Sequence, residues 1–263
     1  MKKQVHLLLA LLFLPLLTIA QTKVDASEII AKINRGEAVN YKNAEITGNL
    51  DLTKLSNMKL KKEKGNDNST KEYISTVTAP VTFEKCTFNG SVLGYFNPDN
   101  GVNVVKSSNE VYNTNFEKDV RFENCTFEDD AAFKYSEFKG KVSFAGSRFE
   151  EEALFKYAKF KETADFSKTE FEDDANFKYV TFPTVANFKN AQFNEEANFK
   201  YAKFQKGADM QQATFNGNAD FKYTQFSESA NLKGASFKGS TDFKFTKLNN
   251  RSVTLSALQE RSK

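Results

Sequence analysis

Lysine and tyrosine stand side by side five times at an interval of 22 residues: Lys134 and Tyr135, Lys156 and Tyr157, Lys178 and Tyr179, Lys200 and Tyr201, Lys222 and Tyr223. Lys244 and Phe245 make a sixth pair. A row of cations beside a row of flat aromatics is chemistry for recognition, suited to a glycan or another extended polymer. Carboxylates precede the pairs in Glu128-Asp129-Asp130, Glu150-Glu151-Glu152, Glu172-Asp173-Asp174 and Glu195-Glu196. Paired carboxyls hydrolyse glycosides, but these acids repeat in columns rather than forming one distinctive constellation. The glycine-aspartate nonapeptide of calcium-binding coils is missing as well. The single histidine, His6, lies in an apolar leader, so the chain beyond it has no imidazole for a catalytic triad or a His-ligated zinc. No cofactor and no metal ligand set is expected.

What positions the pairs is a backbone that repeats with them. From Phe127 to Leu248 the large apolar residues are spaced alternately 6 and 5 apart. A helical stripe needs spacings of 3 and 4, so no continuous helix fits. Two places before each stands a slim residue, as in Ala131, Ser136, Val142 and Ser147. Side chains two apart share one side of an extended backbone. Short extended segments joined by corners, four to a coil, therefore wind the chain round with these pairs inside. Of the 26 Phe beyond residue 20, 24 fall on inward positions and only Phe96 and Phe245 do not. Each burial contributes about 1.5 to 3 kcal/mol. Eight or nine coils at ~4.8 Å make a rod roughly 40 Å long. The Lys and Tyr columns point outward and stack once per coil. Two readings of them stay open: a recognition surface, or surface residues copied by duplication whose aromatic ladder holds the coils in register.

The phrases ANFKYAKF, ADFKYTQF and ANLKGASF resemble the pentapeptide-repeat proteins, whose motif is Ala, then Asn or Asp, then Leu or Phe, then two free positions. The resemblance implies an all-β fold, a right-handed quadrilateral parallel β-helix. It implies no activity, because a fold does not carry one.

The address is read from residues 1–20, with Lys2, Lys3, an apolar run from Val5 to Ile19 and Ala20 before Gln21. This is the pattern of a cleaved secretory signal, too short for a comfortable membrane span. The expected mature protein is periplasmic or extracellular, with a retained N-terminal tether as the alternative. Cleavage removes two lysines and leaves 35 basic against 34 acidic residues. That balance argues against a nucleic-acid partner.

Residues 21–43 form an N-terminal capping segment, with a short helix expected over Val24 to Arg35 from Ile29, Ile30 and Ile33, Ser27 as N-cap and Gly36 as stop. The β-helix spans 44–248, with polar insertions near 56–79 and 95–110. Val81 to Phe88 and Val120 to Phe127 are one phrase repeated 39 residues on, a coil plus 17 inserted residues. Cys86 and Cys125 take its slim inward position, with nearly parallel Cβ vectors that favour two buried thiols over a disulfide. Residues 249–263 carry Val253, Leu255 and Leu258 and form a C-terminal cap or tail. If they leave the last coil open, two rods would join end to end as a homodimer.

The leading expectation is a non-enzymatic exported scaffold or interaction module for a protein or glycan partner. The alternatives are a DNA-mimicking topoisomerase inhibitor, opposed by the export signal and the neutral charge, and a carbohydrate-active enzyme on a β-helix.

Overall fold

The computed structural model describes residues 21–61, 71–98 and 110–262. The expected signal segment, residues 62–70 of the first expected insertion and most of the second lie outside the described residues. The chain forms a right-handed quadrilateral β-helix whose four faces are parallel sheets. The first face runs from Val39–Lys42 to Ala230–Asn231, and the second from Thr22–Asp25 to Ser236–Phe237. The third runs from Leu50–Asp51 to Thr241–Asp242, and the parallel part of the fourth from Lys71–Val77 to Lys247–Leu248, with Lys59–Leu60 and Arg251–Ser252 added antiparallel at its two ends.

Register is set by the core. Phe127 lies opposite Phe149, Phe149 opposite Phe171 and Phe171 opposite Phe193. Within a column the rings stack, as for Phe127 and Phe149 with centroids 4.5 Å apart and planes 2° apart. Between columns they meet edge to face, as for Phe155 and Phe166 at 5.3 Å and 82°. Both geometries suit the ring quadrupole. Phe96 and Phe245 are exposed, as their places outside the inward positions require.

The slim inward position sits under a corner carbonyl of the preceding coil, which explains why Ala, Ser, Thr and Cys interchange there. Ser147 Oγ donates to Phe122 O at 2.7 Å, Thr169 Oγ1 to Phe144 O at 2.9 Å and Thr224 Oγ1 to Phe199 O at 2.7 Å. Each buried hydroxyl is thereby satisfied. Cys86 and Cys125 are buried free thiols on adjacent coils. A hydrogen bond from the neighbouring Cys125 thiol lowers Cys86 below the usual thiol value. The same bond and burial push Cys125 well up.

Helix α1 (Ala26–Asn34) lies across the first coil with Ile29 and Ile33 buried. Its N-cap is Asp25 rather than Ser27: the Asp25 carboxylate accepts from Ser27 N at 2.8 Å. Asp at that place also opposes the helix dipole better than a serine would. Coiling begins before residue 44, because Val39–Lys42 pairs with Val81–Glu84 and Tyr41 stacks over Phe83. The first expected insertion is also shorter than 56–79: Lys71–Val77 is a strand of the fourth face, in register with Glu110–Phe116. At the far end, helix α2 (Leu255–Arg261) packs on the end of the first face with Leu258 fully buried. Ser262 Oγ accepts there from Leu232 N at 2.9 Å. The outermost strands of the second and third faces, Ser236–Phe237 and Thr241–Asp242, have no further strand beyond them among the described residues.

Because Phe177 is fully buried and stacked on both sides, Phe177→Ala should lose about 3 to 5 kcal/mol in denaturant unfolding. A loss below about 1 kcal/mol would mean that the coils do not share one packed core.

Candidate functional site

The Lys–Tyr pairs occupy the corner between the third and fourth faces. Each corner is closed by a turn, such as Ser136 N to Phe133 O at 3.1 Å and Ala158 N to Phe155 O at 2.8 Å. The third residue of that turn is left-handed: φ is 61° at Tyr135, 62° at Tyr157 and Tyr179, 60° at Tyr201, and 61° at Tyr223 and Phe245. Left-handed backbone costs about 1 to 2 kcal/mol in a residue with a Cβ. Turns of this kind favour Gly or Asn at that place. The corner between the first and second faces follows that preference in three of five coils, with Gly146, Asn190 and Gly234 against Lys168 and Gln212 at its positive-φ position. The tyrosine corner does not.

Stacking supplies the difference. Tyr135, Tyr157, Tyr179, Tyr201, Tyr223 and Phe245 form one ladder, with centroids 5.1, 4.6, 4.7, 4.7 and 4.8 Å apart and planes within 10°. An aromatic pair contributes about 0.5 to 1.5 kcal/mol beyond its buried area. That is of the same order as the backbone strain, so the ladder offsets it. Each Lys Nζ from Lys134 to Lys222 rests 5.2 to 5.9 Å from the centroid of its neighbouring ring. Such contacts are attractive even at exposed sites.

The column stacks once per coil, and this decides what it can offer a partner. The inner rings do not present flat faces to a ligand, because each face is covered by the next ring. What a partner meets is the row of ring edges, hydroxyls and ammonium groups. Phe245 keeps one face without a stacked ring, at 61% exposure.

On the third face, acids and lysines form two parallel rows, Asp130, Glu152, Asp174 and Glu196 in one and Lys134, Lys156, Lys178 and Lys200 in the other. Each charge sits on its like along the rod. Burial, then the neighbouring Asp130 and Asp174, raise the Glu152 carboxyl above its usual range. Burial, then Lys134 and Lys178, lower the Lys156 ammonium. No group of three or more His, Cys, Asp and Glu side chains is placed to hold a metal ion among the described residues. No helix among them is long and apolar enough to cross a membrane.

The sequence reading missed an aromatic pair that precedes the lysine column, beside the head of the ladder. Lys71–Val77 and Glu110–Phe116 stay straight where regular coils bend, and carry Tyr73 and Tyr112 stacked at 5.0 Å. The available signal was the 39-residue offset: Tyr73 and Tyr112 keep the spacing of the repeated Cys86 and Cys125 phrase. Tyr95 extends the column beyond Tyr135, at 5.9 Å but tilted by 58°.

A family model for pentapeptide repeats, in nine copies, matches residues 112–158, 155–203 and 199–247. No curated protein and no solved structure matches the chain.

Two outcomes follow. Tyr179→Gly relaxes the backbone yet loses two stacked neighbours, and should lower stability by about 1 to 2 kcal/mol. Lys168→Gly relaxes the same conformation with no ladder to lose, and should stay within about 1 kcal/mol of the parent; thermal unfolding of the two variants tests the difference. The second concerns pH. A carboxyl raised in the folded state weakens folding once ionised, so its burden is full at neutral pH and disappears as pH falls through its raised folded value towards its unfolded one. Glu152→Gln should therefore raise the melting temperature at pH 7 and leave it nearly unchanged at pH 4, and an equal effect at both would contradict the shift.

Proposed function

The chain belongs to the pentapeptide-repeat family, and from that premise we propose that it is an exported, non-enzymatic scaffold that binds a protein or glycan partner along its Lys–Tyr corner. The observation that carries the reading is the contrast between two corners of one rod. One corner holds Lys and an aromatic in six successive coils, against the backbone preference of its turn. The other, with the same turn and period, varies through Gly146, Lys168, Asn190, Gln212 and Gly234. Duplication alone copies both corners equally.

The signal pattern of residues 1–20 supports delivery to the periplasm or the cell exterior. The near-neutral charge and the lack of histidine beyond residue 20 support a role without nucleic acid and without imidazole chemistry. The open strands at the C-terminal end, Ser236–Phe237 and Thr241–Asp242, offer a surface for end-to-end pairing.

The test spares the ladder. Lys156→Gln, Lys178→Gln and Lys200→Gln together remove the charges and keep every ring. Residues 21–263 and this triple variant are compared in pull-downs from envelope extract and on a glycan panel. Capture by the native chain and its loss in the folded variant is the expected result, and undiminished capture by the variant would contradict it.

A further inference from the structure

The C-terminal end of the rod is closed on two faces and, among the described residues, open on the other two. Arg251–Ser252 pairs antiparallel with the last strand of the fourth face, and helix α2 covers the end of the first. A groove of about 750 Å³ remains at this end, lined by Thr241 to Phe245 and by Val253, Thr254 and Leu255. That is the size of a binding site.

One wall of the groove is a strand edge with unused donors. In each earlier coil the amides of the third face donate to the coil that follows, as Ala219 N does to Ser240 O at 2.9 Å, Phe221 N to Asp242 O at 2.8 Å and Tyr223 N to Lys244 O at 3.0 Å. The last coil has no successor, so the N–H groups of Thr241, Phe243 and Phe245 have no acceptor among the described residues. The rings end here too. Phe243 stacks on Phe221 at 4.7 Å and Phe245 on Tyr223 at 4.8 Å, and among the described residues neither carries a stacked ring on its other face. An edge of this kind is a template for a further strand.

The rule of the coil states what that strand carries. Running parallel, as every neighbour on this face does, it brings carbonyls to all three amides and follows the turn at Phe245. A small residue then falls opposite Thr241, and aromatics fall opposite Phe243 and Phe245. Asp242 already stands on Asp220, and Lys244 on Lys222. A third like charge in either column is unfavourable, and opposite charges across a strand pair attract. The complement is a cation opposite Asp242 and an anion opposite Lys244. A second copy of the chain fits this edge less well, because helix α2 is about 10 Å across, twice the spacing of strands, and two such helices on the first faces hold two rod ends apart. A single strand clears it. We propose that the groove takes an extended segment of a partner protein as an added parallel strand, reading small, basic, aromatic, acidic, aromatic opposite Thr241 to Phe245. The site goes beyond the Lys–Tyr side and uses only its last pair, Lys244 and Phe245.

The blocked heptapeptide Thr-Ala-Lys-Phe-Glu-Tyr-Thr, titrated into the isotopically labelled chain from Gln21 onward, tests it by nuclear magnetic resonance. The amides of Thr241, Phe243 and Phe245 shift, and that of Tyr179 does not. Thr-Ala-Glu-Phe-Lys-Tyr-Thr, with the two charges exchanged, binds about tenfold more weakly or worse. Lys244→Glu, a change at an exposed side chain that keeps the melting temperature, prefers Thr-Ala-Lys-Phe-Lys-Tyr-Thr to the first peptide. The triple variant Lys156→Gln, Lys178→Gln and Lys200→Gln binds the first peptide as the parent does, which separates this site from capture along the corner. Absence of shifts at the three amides overturns the proposal, as does equal affinity for the two charge-exchanged peptides. Dimerisation that shuts the peptide out would also overturn it and give the edge to a second copy.

Discussion

A coil of constant length places every side chain on its own copy, and the rest of this molecule follows from that constraint. Like on like is favourable for groups that stack or bridge. Phe fills the interior in parallel columns, and on the outer faces amides climb the rod from coil to coil. Asn187 Nδ2 donates to Asp165 Oδ1 at 2.9 Å, Asn194 Nδ2 to Glu172 Oε2 at 2.8 Å and Asn216 Nδ2 to Asn194 Oδ1 at 2.6 Å. For charges the same rule is unfavourable. The raised Glu152 carboxyl and the lowered Lys156 ammonium record it.

The tyrosine corner shows how one term offsets another. Its backbone is held in a conformation that glycine would adopt with less strain, and the ladder it carries holds it there. A surface built in this way is stiff along the rod, because no ring can leave without uncovering two others. Stiffness of this kind lowers the entropy lost when an extended partner docks. At the C-terminal end the ladder stops at Phe245, and it is there that a groove and three amides without acceptors among the described residues come together.

Much of this was legible in the sequence because the signal is spacing. Phe at 6 and 5 gave four faces, and the exclusion of Phe96 and Phe245 from the core needed no coordinates. The strand Lys71–Val77 escaped because it sets Val77, not Phe, at the inward place and follows a polar stretch. Tyr41 hid the start of the first coil in the same way. That the tyrosines stack once per coil was legible from the period, but the tilt of Tyr95 against Tyr135 was not, since Tyr95 stands outside the 22-residue spacing.

Native-state hydrogen exchange of the two corners tests directly whether stacking of like on like holds the rod together. The amides of Tyr157, Tyr179 and Tyr201 bond to the next coil at 2.9, 3.0 and 3.1 Å, and those of Gly146, Lys168 and Asn190 at 2.8, 2.8 and 2.9 Å. The backbone bonds are equivalent and only the ladder differs. Slower exchange at the tyrosine corner, close to the rate set by global unfolding, is the predicted result; equal or faster exchange there would contradict the account.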